Sequence, residues 1–278
     1  MITIELVLFV RPGSGALKTT IDSLLTQTDK SFSVLISESS AAKARDVVSD
    51  AQTRLTAGGI TVRAANPPPE YGAVEHLNWA ILESDTAWIK PLLCGDQLEP
   101  RAIECVRRAI AASPEALFLD FGYDLQDGCG AAEPVAVNSE ARFYGPREMR
   151  DFVLRGPGLQ SLSAVAFRRD ALAPMGGIRP GAPSYGGRLL CGALASRFGA
   201  VRIPSILGHF PRHQADSSFD SPHRPPASLR EMITYLGMLA YHDWTEGNRV
   251  SFVSLIRMMT RELRVYYRDT KSARGASQ

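Results

Sequence analysis

Cysteine is scarce in this chain of 278 residues, which has only Cys94, Cys105, Cys129 and Cys191. No two of them stand at the short spacing of a zinc site, and scattered thiols do not make the disulfide framework of a small secreted domain. They read as free thiols of a reducing cytoplasm. Long hydrophobic runs are missing too: no apolar stretch approaches the roughly 20 residues that cross a bilayer. No basic segment precedes an apolar run in residues 1–5, so neither a signal peptide nor a spanning helix is expected. Membrane contact, if made, is peripheral, at the inner face. Charge of one sign is also lacking. A formal net charge of +2 argues for no nucleic-acid partner, and none is expected. What is present, 45% hydrophobic and 22% charged residues, is ordinary for a globular protein. It supplies a sizeable core without a disulfide or a structural metal.

The first third alternates two periodicities. Residues 4–10 form a β-rich run that stops at the breaker Arg11-Pro12-Gly13-Ser14. Leu17, Ile21, Leu24 and Leu25 then recur at helical spacing. Strands are expected over 32–36, 60–64, 87–93 and 116–121, and helices over 41–55, around Val74, Leu77 and Ile81, and after Pro100. Such alternation builds βαβ units: an α/β fold with a mostly parallel central sheet flanked by helices. Ligands of such sheets bind beyond the carboxyl ends of the strands. The informative loops therefore follow Val10, Ile36 and Leu93.

Residues 122–146 lapse into Gly, Asp and Ala and read as a loop or hairpin insertion. The Gly- and Pro-rich stretch 176–187 is expected to line or cover a site. Pro222, Pro225 and Pro226 divide a body of residues 1–225 from a helical extension of residues 226–278. There Phe252, Ile256, Met259, Leu263 and Tyr266 share a face beside a stripe of Arg257, Arg261, Arg264 and Arg268. A basic amphipathic helix can lie on an anionic membrane, or it can pack on the body with a solvated basic edge.

Two glycine motifs near the first strand fail. After Gly13 and Gly15 the third glycine of a dinucleotide fingerprint is missing, and Lys18-Thr19 follows Leu17 where a phosphate-binding loop needs glycine. The third loop says more. Residues 88–100 read as a hydrophobic strand, the turn Cys94-Gly95-Asp96 and a helix opened by Pro100. A carboxylate at such a turn can hold a divalent cation against a nucleotide diphosphate. It can equally just cap the turn.

Four further segments stand in order with it: 24–40, ending at Ser37-Glu38-Ser39-Ser40; Gly72 with Asn78-Trp79; 163–178; and 203–218, with Phe210-Pro211-Arg212-His213. Taken together from residue 2 to about 218, they resemble the nucleotide-sugar-dependent glycosyltransferases of family 2, which have the Rossmann-like GT-A fold. The resemblance implies transfer of a sugar from a nucleotide diphosphate donor to a glycan or lipid-linked acceptor, in cell-surface polysaccharide synthesis. It assigns Arg11, Pro12, Glu38, Gly95 and Asp96 to the nucleotide pocket, and Asp96 and His213 to a divalent metal, Mn or Mg. Asp96 matches the second aspartate of the family's pair, and Gly95 replaces the first. Leu77 stands where an arginine is common. The stretch 183–189, where the family carries its catalytic base, has no carboxylate. His213 and Asp216 are the remaining candidates for a base. The alternative is a non-catalytic protein of this fold that binds a nucleotide sugar or a partner.

Overall fold

The structure, a computed structural model, describes residues 2–10, 16–38, 45–126, 132–135, 142–155, 161–172, 177, 186–211 and 260. Its frame is one ten-stranded sheet. The first four expected strands are β1 (Ile4–Val10), β2 (Ser33–Glu38), β3 (Thr61–Ala65) and β4 (Trp88–Leu93). They lie in the order β3-β2-β1-β4, all parallel. Every residue of β1 is buried, because helices cover both faces of an inner parallel strand. The intervening helices are α1 (Leu17–Leu25), α2 (Arg45–Ala57) and α3 (Ala73–Leu82).

The short strand β5 (Gln97–Leu98) leads into α4 (Ala102–Ala112) and then β6 (Phe118–Gln126). After β7 (Ala132–Val135), β8 (Arg142–Tyr144), α5 (Pro146–Arg155), β9 (Val165–Arg168) and α6 (Gly186–Phe198), the described body ends on β10 (Ala200–Pro211). Beyond β4 the order continues β9-β6-β10-β5. Strand β9 is antiparallel to both its neighbours, and β6 and β10 run parallel to each other. The fold class expected from the sequence is the one observed. The antiparallel strands β5, β8 and β9 are what periodicity did not reveal.

Two cores sandwich the sheet. On one face Leu17, Ile21 and Leu24 of α1 and Ile103, Val106 and Ile110 of α4 meet Leu6, Leu8 and Leu92. On the other, Val74, Leu77 and Ile81 of α3 and Leu190 and Leu194 of α6 meet Val7, Phe9 and Ile89. Leu77, where the family commonly has arginine, is a core residue here.

Residues 122–126, read from sequence as the start of a loop or hairpin insertion, continue β6, and β7 pairs antiparallel with its end, so the hairpin is what is observed there. Gly122 belongs in the strand for a steric reason. A Cβ there would sit 3.1 Å from the Ser205 carbonyl oxygen. Glycine in a strand often marks such close backbone approach rather than a break. The β6–β10 register slips between Ile203 and Ile206, and again between Ile206 and His209. Irregularities of this kind bend a strand, and the far half of β10 pairs with β5.

The C-terminal arginine and apolar stripes, Pro226 and the Gly- and Pro-rich stretch fall outside the described residues, apart from Gly177, Gly186, Gly187 and the helical Thr260. Among the described residues, no helix is long and apolar enough to cross a membrane.

Candidate active site at the carboxyl edge of the sheet

The parallel strands end on one edge, and the register fixes which residues stand there. Val10 pairs with Glu38, and Phe9 pairs with both Ser37 and Leu93. Glu38 is the last residue of β2, two places beyond the expected strand end, and is 4% exposed. Asp96 follows β4 in a turn closed by its own N–H, which donates to the Leu93 carbonyl at 3.0 Å. It is 1% exposed. The fold therefore brings Glu38 and Asp96 to the same edge, on strands separated only by β1. Arg11, Pro12, His213 and Asp216 lie outside the described residues.

The Asp96 turn is laced to its surroundings by buried side chains. Thr20 Oγ1 accepts from Gly95 N at 2.8 Å, and Ser163 Oγ accepts from Leu93 N at 3.0 Å. Ser23 Oγ accepts from Leu98 N at 3.2 Å. Gln27 Nε2 donates to the Glu99 carbonyl at 2.8 Å while its Oε1 accepts from Ile103 N at 3.1 Å. Thr20, Ser23 and Gln27 recur at helical spacing along and just past α1, so one face of that helix holds the whole segment. Such bonding satisfies backbone groups that no sheet or helix ladder pairs. Gly95 has φ +102°. A side chain rarely adopts that conformation, so the glycine in place of the family's first aspartate goes with the shape of this turn.

Beneath the turn lies Lys90, fully buried on β4. Its Nζ donates to the carbonyls of Ser163 and of Pro91, the latter at 3.0 Å, and stands 5.0 Å from the Phe121 ring centroid. Burial lowers its pKa from 10.5 to about 7, against the attraction of Asp96 and Cys191. Nearby strands carry a buried ion pair. Arg202 Nε bonds both carboxylate oxygens of Asp120 at 3.1 Å, and the guanidinium covers the Phe152 ring at 3.5 Å. Burial pushes Asp120 up to about 6, while Arg202 pulls the other way. Another buried hydrogen bond near this edge joins Ser37 Oγ and His76 Nε2 at 2.6 Å.

Sequence reasoning missed a group that the bend in β10 assembles. His209 pairs with Gln97 of β5 and stands level with Asp124 of β6. Its Nε2 meets Glu99 Oε1, and its Nδ1 lies 3.2 Å from Asp124 Oδ2. No local signal marks it, because the three residues come from three separate segments.

The fit to a divalent cation is incomplete within this set. Among the described residues no group of three or more His, Cys, Asp or Glu is placed to hold a metal. Of the two residues that the resemblance assigns to a metal, Asp96 is described and His213 lies outside the described residues. Cys105 and Cys191 are free thiols, and burial pushes the Cys191 thiol well up, which makes it inert.

No protein-family model matches the chain, and no curated protein matches it in sequence. Solved structures do match. The chain is similar to residues 1–349 of S. aureus TarS at 10% identity and a TM-score of 0.66, covering 92% of this chain and 69% of that one. Against the same TarS segment in complex with UDP-GlcNAc the identity is 9% and the TM-score 0.68, over 94% and 72%. Against the Pyrobaculum calidifontis mannosyltransferase PcManGT in complex with GDP-Man and Mn2+ the values are 12% and 0.55, over 97% and 82%. At these identities the likeness shows the fold alone: a mixed α/β architecture with a central sheet flanked by helices, which the chain shares with these structures.

Proposed function

We propose that this chain is a glycosyltransferase of family 2 that moves a sugar from a nucleotide diphosphate donor to a glycan or lipid-linked acceptor in cell-surface polysaccharide synthesis. The observation that carries the reading is the convergence of Glu38 and Asp96 on the carboxyl edge of a sheet of this fold. Open α/β sheets bind ligands there. Glu38 reads the nucleoside, with Arg11 and Pro12 beside it. Asp96, held by its laced turn, faces the diphosphate. A divalent cation, Mn or Mg, held by Asp96 and by His213, would neutralise charge on the leaving diphosphate. Residues 1–225 form the catalytic body in this reading. Residues 226–278 dock on it and present their arginines to an anionic membrane at the inner, cytoplasmic face.

A second reading has an observation of its own. The backbone at Gly95 disfavours the missing first aspartate, and stretch 183–189 has no carboxylate, as in a protein that binds a nucleotide sugar without turning it over.

Calorimetry with uridine, guanosine and thymidine diphosphates, with and without manganese, tests the site. One diphosphate should bind, more tightly with manganese. Asp96→Asn should remove the manganese effect, and Glu38→Gln should weaken nucleoside binding by about 1–3 kcal/mol through loss of a charged hydrogen bond. Binding to none of the three contradicts sugar transfer and favours the partner-binding form of the alternative. Binding without turnover of the matching nucleotide sugars favours the second.

A further inference from the structure

On the reading that this edge of the sheet binds a nucleotide diphosphate, we infer that Tyr71 stacks on the nucleobase and is a specificity-determining residue of the site. The loop that carries it, residues 66–72, joins β3 to α3. Both ends of the loop are tied to Ser37, the residue before Glu38. Ala65, the last residue of β3, pairs with Ser37. On the first turn of α3, His76 Nε2 meets Ser37 Oγ at 2.6 Å. Tyr71 stands one place ahead of the helix N-cap, Gly72, and so lies at the carboxyl edge.

The loop is stiff. Pro67, Pro68 and Pro69 fix three successive φ angles, and the Tyr71 N–H closes a turn on the Pro68 carbonyl at 3.0 Å. A segment ordered before its ligand arrives loses little entropy on binding it. The Tyr71 side chain is 41% exposed. Lone exposed apolar side chains are common; what singles this one out is its place where open α/β sheets bind ligands. The other exposed aromatic among the described residues, Phe143, pairs with Val201 at the amino end of β10.

The surroundings favour a base over a phosphate. Glu70 and Glu75 are exposed on the same loop and helix start. A Cβ at Gly72 would stand 2.7 Å from Glu75 Oε2, so that carboxylate lies over the helix N-terminus. With Glu38 ending β2, the corner carries acidic groups that repel a diphosphate. An uncharged base gains from an aromatic face instead. The strand order agrees. Across β3-β2-β1-β4 the edge presents Tyr71, then Glu38 and, past β1, Asp96. A nucleotide diphosphate presents base, ribose and phosphates in that sequence. Neighbouring strands lie about 4.8 Å apart, so base and ribose fall on adjacent strand ends.

The test is calorimetry on the full chain, with magnesium present, using uridine, guanosine and thymidine diphosphates and inorganic pyrophosphate, which has no base. Tyr71→Ala should bind the preferred nucleoside diphosphate about 5- to 150-fold more weakly than wild type, the worth of one base–aromatic stack. Tyr71→Phe keeps the ring and should stay within about twofold of wild type. Pyrophosphate should bind all three proteins equally. Wild-type affinity in Tyr71→Ala overturns the inference. So does an equal loss in Tyr71→Phe, which would give the contact to the hydroxyl, and so does a parallel loss of pyrophosphate, which would mean that the loop shapes the site without touching the base. Wild-type protein that binds pyrophosphate as tightly as the nucleoside diphosphates overturns it while leaving a diphosphate site standing. Binding to none of the four probes overturns it together with the reading on which it rests.

Discussion

Thr20 Oγ1 accepts the N–H of Gly95 at 2.8 Å across 75 positions of sequence, tying the first helix to the turn that presents Asp96. Thr20 is fully buried, so no water can replace its hydroxyl without rearrangement. Thr20→Val keeps the shape and removes the acceptor. The expected cost is about 1–3 kcal/mol of stability, that of a buried donor left unpaired. Nucleoside diphosphate binding should weaken with it, whereas Thr20→Ser should retain binding. Urea melts and calorimetry on the three proteins check this, and equal affinity in all of them would separate the brace from the site.

Placing an aspartate at position 95, as in the glycosyltransferases that the sequence resembles, should fail. At φ +102° an aspartate in place of Gly95 would be strained by about 1–3 kcal/mol. Gly95→Asp is expected to lower the melting temperature without strengthening manganese-dependent diphosphate binding. Tighter binding at unchanged stability would show that the turn accepts a side chain.

Lys90 should impose a pH slope on stability. The folded pKa is about 7, below the ordinary 10.5, because burial penalises the ammonium. Between those values the unfolded chain holds a proton that the folded chain has released, so stability rises with pH across that window. Below about pH 7 both states are protonated and the contribution is level, with the burial cost fully present. The neutral amine keeps two N–H donors, enough for the carbonyls of Pro91 and Ser163. Denaturant melts of wild type and Lys90→Met from pH 7 to 10 should diverge in favour of wild type, by at most about 1.4 kcal/mol per pH unit. Parallel curves would contradict the assignment.

The Asp120–Arg202 pair should respond unevenly to single and double substitution. Arg202→Met leaves a buried carboxylate without its guanidinium and should cost about 3–5 kcal/mol. Asp120→Leu combined with Arg202→Met should recover most of that loss, because the desolvation penalty disappears with both charges. A double variant as unstable as the single one would mean that the pair supplies net stability here.

The sequence by itself determined the parallel half of this protein. Its strands are continuous apolar runs and its helices carry stripes at helical spacing, so β1, β2, β4, α1 and α4 stand within a few residues of where periodicity puts them. Asp96 and Glu38 were named through the resemblance, and the register of β2, β1 and β4 puts both near one edge of the sheet; the roles given to them remain part of the proposal. Only the tertiary structure decided the rest. Gly122 looks like a breaker until Ser205 is seen pressing against it, and β9 gains its place by pairing antiparallel with strands on both sides. The polar lacing of Thr20, Ser23 and Gln27 is invisible in a helix judged by its apolar stripe. His209, Glu99 and Asp124 lie far apart in sequence and meet because register slips bend β10 toward β5. Periodicity reports how a segment contacts its surroundings on average. Which particular groups touch across the sheet is fixed by register and curvature, and these belong to the assembled fold.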